Sequence, residues 1–319
     1  MRDGVSKPRH CYLILTHRNP RQIVRLTGTL LRGSPSSEVV VCHDLGGCPL
    51  QPSDVPGARV LRTRGRVRRS EWSLAQAYLD AVNTLAELGV EYDWLTYISG
   101  QDYPLRPLCE YEACVEGTGV DGFMTYGDIF GPDNPFAPRR HQGHRRYYYR
   151  YRRLPDGWQP WLRRLRFLNG WTSAWHLHWL YGAYIATRVR QHPFTAAFRC
   201  YAGSNWHTLH RQCVEFLRTH VVQGDPVREH FARTMASDEA VVQTFLVNSG
   251  RFRFDRDNLR FIDFTDSTTG SPLVLKTADF ERLMTSGKFF ARKFDMDTDA
   301  RILDLLDERI AELRPAALR

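Results

Sequence analysis

The stretch CysTyrLeuIleLeu at 11–15 limits the fold more than any other segment. A continuous apolar run, without polar alternation, belongs to a strand buried on both faces, as in a parallel sheet covered by helices. After Asn19-Pro20, the apolar positions Ile23, Leu26, Leu30 and Leu31 fall at helical spacing, and Gly33 and Pro35 end the pattern. Val39–Val41 gives a second strand ending in His43-Asp44, and Arg59–Leu61 a third. A helix with Leu74, Tyr78, Ala81, Leu85 and Leu88 on one face follows, and Trp94–Ile98 then runs straight into SerGlyGlnAspTyrPro at 99–104. Such alternation predicts an α/β fold. Ligands of these sheets collect at the carboxyl ends of the strands, so His17, Asp44 and Asp102 are expected at one rim.

The middle of the chain, 130–200, is rich in arginine and aromatic residues with weak periodicity, and reads as an insertion or lid. The pattern then resumes with a helix near His210 and another from Asp238 through Val241, Val242, Phe245 and Leu246. A strand at 259–264 and a short helix at 277–284 follow. A last helix, apolar at Ile302, Leu305, Leu306, Ile310 and Leu313, begins near an Asp297/Thr298 cap. At 319 residues the chain reads as one domain. It has no apolar run of membrane-spanning length, and its start does not read as a leader, so a cytoplasmic protein is expected. The seven cysteines include no CxxC pair and are expected to be reduced.

The net charge of +9 is concentrated. From Arg139 to Arg166 ten arginines stand against one acid, Asp156, interleaved with Tyr147, Tyr148, Tyr149, Tyr151, Trp158 and Trp161. Such a segment suits nucleic acid, an anionic membrane, the entrance for an anionic acceptor, or simply solvent.

Three segments could carry chemistry. AlaSerAspGluAla at 236–240 puts two acids at a helix start, where they serve either the helix dipole or proton transfer. PhePheAlaArgLysPheAsp at 289–295 holds two adjacent cations in an apolar strand; the planar fork of Arg and the point charge of Lys both suit phosphate oxygens. GlySerAsnTrp at 203–206 offers small residues beside a tryptophan, suited to close approach of a ligand ring or to structural packing. AspMetAspThrAsp at 295–299 lacks the glycine and distal glutamate of a calcium loop and reads as helix capping. The histidine pairs 141/144 and 176/178 lack the spacing of a zinc hydrolase, and no P-loop motif is present.

Taken together, TyrLeuIleLeuThrHis (12–17), SerGlyGlnAspTyrProLeuArg (99–106), GlySerAsnTrp (203–206), SerAspGlu (237–239) and PhePheAlaArgLysPhe (289–294) resemble, in order and spacing, one family. It is that of the core-2/I-branching N-acetylglucosaminyltransferases and peptide xylosyltransferases, glycosyltransferase family 14. The resemblance spans nearly the whole chain outside 130–200 and leans toward the xylosyltransferase branch. It implies a GT-A, Rossmann-like fold with a mixed central sheet, a UDP-sugar donor, inversion at the anomeric carbon and no divalent metal or other cofactor. Glu239 would be the catalytic base, and Arg292 and Lys293 would stabilise the diphosphate. Leu15, Asp44, Trp72 and Ser271 would complete the UDP site, while Asp102, Asn205 and Trp206 would meet the sugars. The stretch Val67-Arg68-Arg69 departs from the family pattern. Xylose and N-acetylglucosamine both remain open as the transferred sugar, and the acceptor is unassigned.

The competing expectation is a non-catalytic protein that binds nucleic acid or an anionic surface through 139–166. A phosphotransferase using the same Arg-Lys pair lacks a recognisable metal cage.

Overall fold

The structure, a computed structural model, describes residues 9–136, 141–265, 267 and 270–313. It opens with β1 (His10–Thr16), α1 (Pro20–Gly33), β2 (Glu38–His43), β3 (Arg59–Arg62), α2 (Trp72–Glu87) and β4 (Trp94–Ser99). All seven residues of β1 are buried. Cys11, Leu13 and Leu15 enter one apolar cluster and Tyr12 and Ile14 the other, as the two-residue period of a strand requires. Asn19, in the left-handed region at φ 55°, caps α1 by accepting from the Gln22 amide at 3.2 Å, and Pro20 supplies the first turn.

The chain continues through β5 (Asp102–Pro104), α3 (Leu108–Gly117), β6 (Gly122–Phe123) and β7 (Tyr126–Asp128). An excursion follows, with α4 (His141–Tyr147), β8 (Tyr149–Arg153), α5 (Gln159–Arg164), β9 (Trp175–His178) and β10 (Tyr184–Arg188). It returns in β11 (Tyr201–Gly203), which pairs antiparallel with β7, so the excursion leaves and re-enters at neighbouring strands. The remainder is β12 (His207–His210), α6 (Arg211–His220), α7 (Pro226–Phe231), α8 (Val241–Asn248), β13 (Phe254–Asp255), β14 (Arg260–Ile262), α9 (Phe280–Met284), β15 (Phe290–Arg292) and α10 (Arg301–Leu313).

Seven strands form the central sheet in the order β13-β6-β12-β4-β1-β2-β3. β3, β2, β1 and β4 are mutually parallel, and β12 runs antiparallel between β4 and β6. The α/β class with a mixed central sheet is therefore as expected. Helices α2, α6 and α8 cover one face and α1, α3 and α10 the other. A second sheet, β14-β15-β5, begins just past the end of β4, and the excursion builds a third, β8-β10-β9.

Three local expectations need correction. Asp238 does not open a long helix: Ser237–Glu239 is a separate tight turn, isolated from α8 by Ala240 at φ −138°. The last helix starts at Arg301, and its cap is Asp299, which accepts from the Ile302 amide at 3.3 Å. The strand expected over 259–264 is confined to Arg260–Ile262. All seven cysteines are unpaired. Among the described residues, no helix is long and apolar enough to cross a membrane.

Candidate active site

The parallel strands deliver their carboxyl ends to one rim. There Asp44 follows β2; its amide donates to the Thr16 carbonyl at 2.9 Å, and its Oδ1 accepts from the amides of Gly46 and Val67. Asp44 thereby ties two rim loops together. Leu15 lies in register with Cys42 and Ser99 and keeps 9 % of its surface exposed.

Just past β4 the backbone turns into β5, bringing Asp102 opposite Arg292 in the β5–β15 pair. Asp102 is wholly buried. Its Oδ2 accepts from the amide and hydroxyl of Ser99, and it stands 3.5 Å from Arg292 Nε, with Oδ1 3.8 Å from Arg260 Nε. A carboxylate between two buried guanidiniums serves as their counterion. Burial pushes both arginines below their ordinary pKa, opposed first by Asp102. The Arg292 guanidinium lies 4.5 Å from the ring centre of Trp206, a cation–π contact worth about 0.5–2 kcal/mol.

Trp206 is buried among core side chains as a shelf for Arg292, and its ring packs 5.1 Å from Tyr97. The small residue before it has a backbone reason. A Cβ on Gly203 would come within 1.8 Å of the Thr125 carbonyl oxygen on β7's approach, so the close partner is the chain itself rather than a ligand ring. Asn205 is buried beside Tyr97.

Lys293 follows Arg292 and is partly exposed. Burial first, then the positive charges of Arg18, Arg292 and Arg69, push its ammonium below its ordinary pKa. Arg18 is paired with Asp295. Among the described residues, Arg69 meets neutral partners: the Ser271 hydroxyl, the Gly270 carbonyl at 2.6 Å and the Tyr181 ring at 4.7 Å. Among the described residues, neither Arg69 nor Lys293 makes an ion pair. Ser271 therefore joins the cation cluster through Arg69.

Glu239 sits in the Ser237–Glu239 turn with its side chain 37 % exposed and its Oε2 paired with Arg146 of α4. Its charge acts on Arg292, and Arg69 acts on neighbouring Asp238, so the carboxylate turn and the cation cluster share one electrostatic neighbourhood. Asp238 is not an exposed helix-start acid. It is buried, its Oδ1 has no hydrogen-bond partner among the described residues, and burial first, then Glu239, push its pKa up to about 8. Trp72 turns elsewhere, donating to Gln76 at 2.9 Å with Arg228 5.1 Å from its ring centre.

Sequence reading did not single out Arg18, Arg69, Arg146 or Arg260, and gave Asp238 only a helix-start role. Arg69 left a signal as part of the stretch that departs from the family pattern, and Arg146 only as one of the ten arginines between 139 and 166. Gly117, Gly119 and Gly122 do stand at GxGxxG spacing, but they connect α3 to β6, the reverse of the strand-to-helix order of a dinucleotide fingerprint. A cavity of about 280 Å³ between Arg150, His192, His230 and Arg233 includes none of the candidate residues. No group of three potential ligands able to hold a metal ion occurs among the described residues.

No family model matches the sequence, and no curated protein matches it. Among solved structures, the chain is similar to residues 1–349 of Staphylococcus aureus TarS in complex with UDP (14% identity, 36% of this chain and 35% of that one, TM-score 0.27). It is also similar to glucosyl-3-phosphoglycerate synthase of Mycobacterium tuberculosis in complex with Mn2+, UDP and phosphoglyceric acid (15%, 57% and 56%, TM-score 0.28). A third is A197 from STIV (11%, 77% and 80%, TM-score 0.31). The match spans about a third of the TarS chain. With TM-scores this low, the fold is read from the chain's own topology.

Proposed function

We propose that this chain is a UDP-sugar-dependent glycosyltransferase of GT-A type that transfers xylose or N-acetylglucosamine to an acceptor hydroxyl with inversion. The observation that carries this reading is the pair of cations, Arg69 and Lys293, that make no ion pair among the described residues and are gathered with Arg292 beside a carboxylate turn at the sheet's rim. A diphosphate would satisfy them. Arg292, braced by Asp102 and Trp206, would present a preformed donor to the charge that grows on the departing UDP, a stabilisation usually supplied by a divalent ion. Such cations need no metal partner.

Inverting transfer is a single displacement: the acceptor oxygen bonds to the anomeric carbon as the bond to UDP breaks. One base must take the hydroxyl proton, with no second carboxylate as nucleophile. Glu239 fits this role. Arg146 holds one oxygen, and Oε1 has no partner among the described residues. Asp238, held protonated by burial, would spare the turn a second negative charge at neutral pH. The order of the five sequence segments supports the same assignment.

The test is UDP-xylose and UDP-N-acetylglucosamine turnover, scored as UDP release in EDTA, for wild type and Glu239→Gln. Turnover that survives chelation and falls about 10²–10⁴-fold in the variant is expected. Activity abolished by EDTA, or untouched in Glu239→Gln, would contradict the proposal.

A further inference from the structure

The basic segment divides into two parts that behave differently. Arg146 and Arg153 turn inward, to Glu239 and to Glu71, whereas Arg163, Arg164 and Arg166 are exposed and make no ion pair among the described residues. Around the outward arginines stand large exposed apolar side chains: Trp161 is 58% exposed, Phe167 60% and Trp171 76%, with Trp158, Leu165 and Leu180 also in solvent. Exposed tryptophans grouped in this way call for a partner.

The patch is a built surface rather than a frayed loop. Leu162 points inward against Leu177 and Ala183, pinning α5 to the excursion's sheet. Asn169 exchanges two hydrogen bonds with the Leu177 backbone, at 2.7 and 3.0 Å, and Gln159 donates to the Trp179 carbonyl at 2.6 Å. These contacts fix the turn that follows α5, so its outward side chains are presented on a firm base.

We propose that the 158–171 face docks on an anionic phospholipid bilayer. Tryptophan and arginine are the residues that settle at the headgroup boundary, where an apolar body can be buried while a polar edge or charge stays wet. The charge is complementary: from Leu154 to Arg190 five arginines stand against one acid, Asp156, and that acid is already paired with Arg153 at 2.6 Å. The exposed leucines gain from acyl chains and gain nothing from a nucleic acid. A two-fold contact with a second copy would set arginines against arginines. This docking is independent of the donor chemistry.

Flotation of the full chain with vesicles tests it. Vesicles of phosphatidylcholine containing one quarter phosphatidylglycerol should carry the protein, pure phosphatidylcholine far less, and molar salt should release it. Each neutralised arginine should lower partitioning roughly fivefold, about 1 kcal/mol near an anionic surface, so Arg163→Gln/Arg166→Gln loses roughly 25-fold. Trp161→Ser/Trp171→Ser should lose roughly tenfold or more while keeping the wild-type melting transition and UDP turnover. Quenching of wild-type tryptophan emission by brominated lipid needs no variant and should be strong. Absence of flotation and quenching, or partitioning unchanged in both variants, overturns the proposal. So does single-stranded oligonucleotide binding that the same variants abolish, or a dimer that they dissociate.

Discussion

Arg292 and Arg163 are the same residue type in surroundings that could hardly differ more. Arg292 is nearly enclosed, with Asp102 at 3.5 Å, Trp206 beneath it and a pKa depressed by burial. Arg163 stands in solvent without an ion pair among the described residues. An enclosed guanidinium has paid its dehydration through fixed partners and can act as a preorganised positive charge; an exposed one acts only through the field it adds to a surface. Charge counted along a sequence does not separate these two uses. The surroundings do.

The comparison breaks most readily at its counterion. Asp102→Asn would leave Arg260 and Arg292 buried with no negative charge between them, and should destabilise the fold by about 3–5 kcal/mol in urea unfolding. Stability within 1 kcal/mol of wild type, on the order of a neutral surface change, would mean that the two guanidiniums are solvated and the enclosure is not real.

A smaller effect, readable through pH, comes from Asp238. Below about pH 4 folded and unfolded chains both keep its proton; between there and about pH 8 the unfolded chain releases it and the folded chain does not. Asp238 therefore costs stability progressively as pH rises through that window. Asp238→Asn should raise the melting temperature at pH 8 more than at pH 5, by roughly 2–4 °C for each kcal/mol recovered. An equal shift at both pH values would show that the carboxyl is ionised in the fold. Smallest of all, Arg163→Ala should leave stability within about 0.5 kcal/mol, because nothing folded depends on it.

These contrasts also explain what the sequence made legible. β1, α1 and β4 could be read because burial on both faces, or on one helical stripe, writes itself into local spacing. The Asp102–Arg292 pair could not, since the residues lie 190 apart in sequence and meet only when β15 pairs with β5. Arg146 was hidden for the opposite reason: ten arginines in one run give no sign of which one turns inward to Glu239. GlySerAsnTrp was visible as a motif but left ligand contact and structural packing both open, because the Thr125 carbonyl that demands Gly203 comes from a distant part of the chain. Asp238 read as a helix-start acid because the break at Ala240 leaves no mark in residue type.

The most direct test of the cation cluster is calorimetric titration of wild type and Lys293→Met with UDP and with uridine, in EDTA. UDP should bind wild type at least tenfold more tightly than uridine, on the order of one charge-assisted contact, and Lys293→Met should erase much of that margin. Equal affinity for UDP and uridine in the wild-type protein, or a margin that appears only when a divalent ion is restored, would contradict the account.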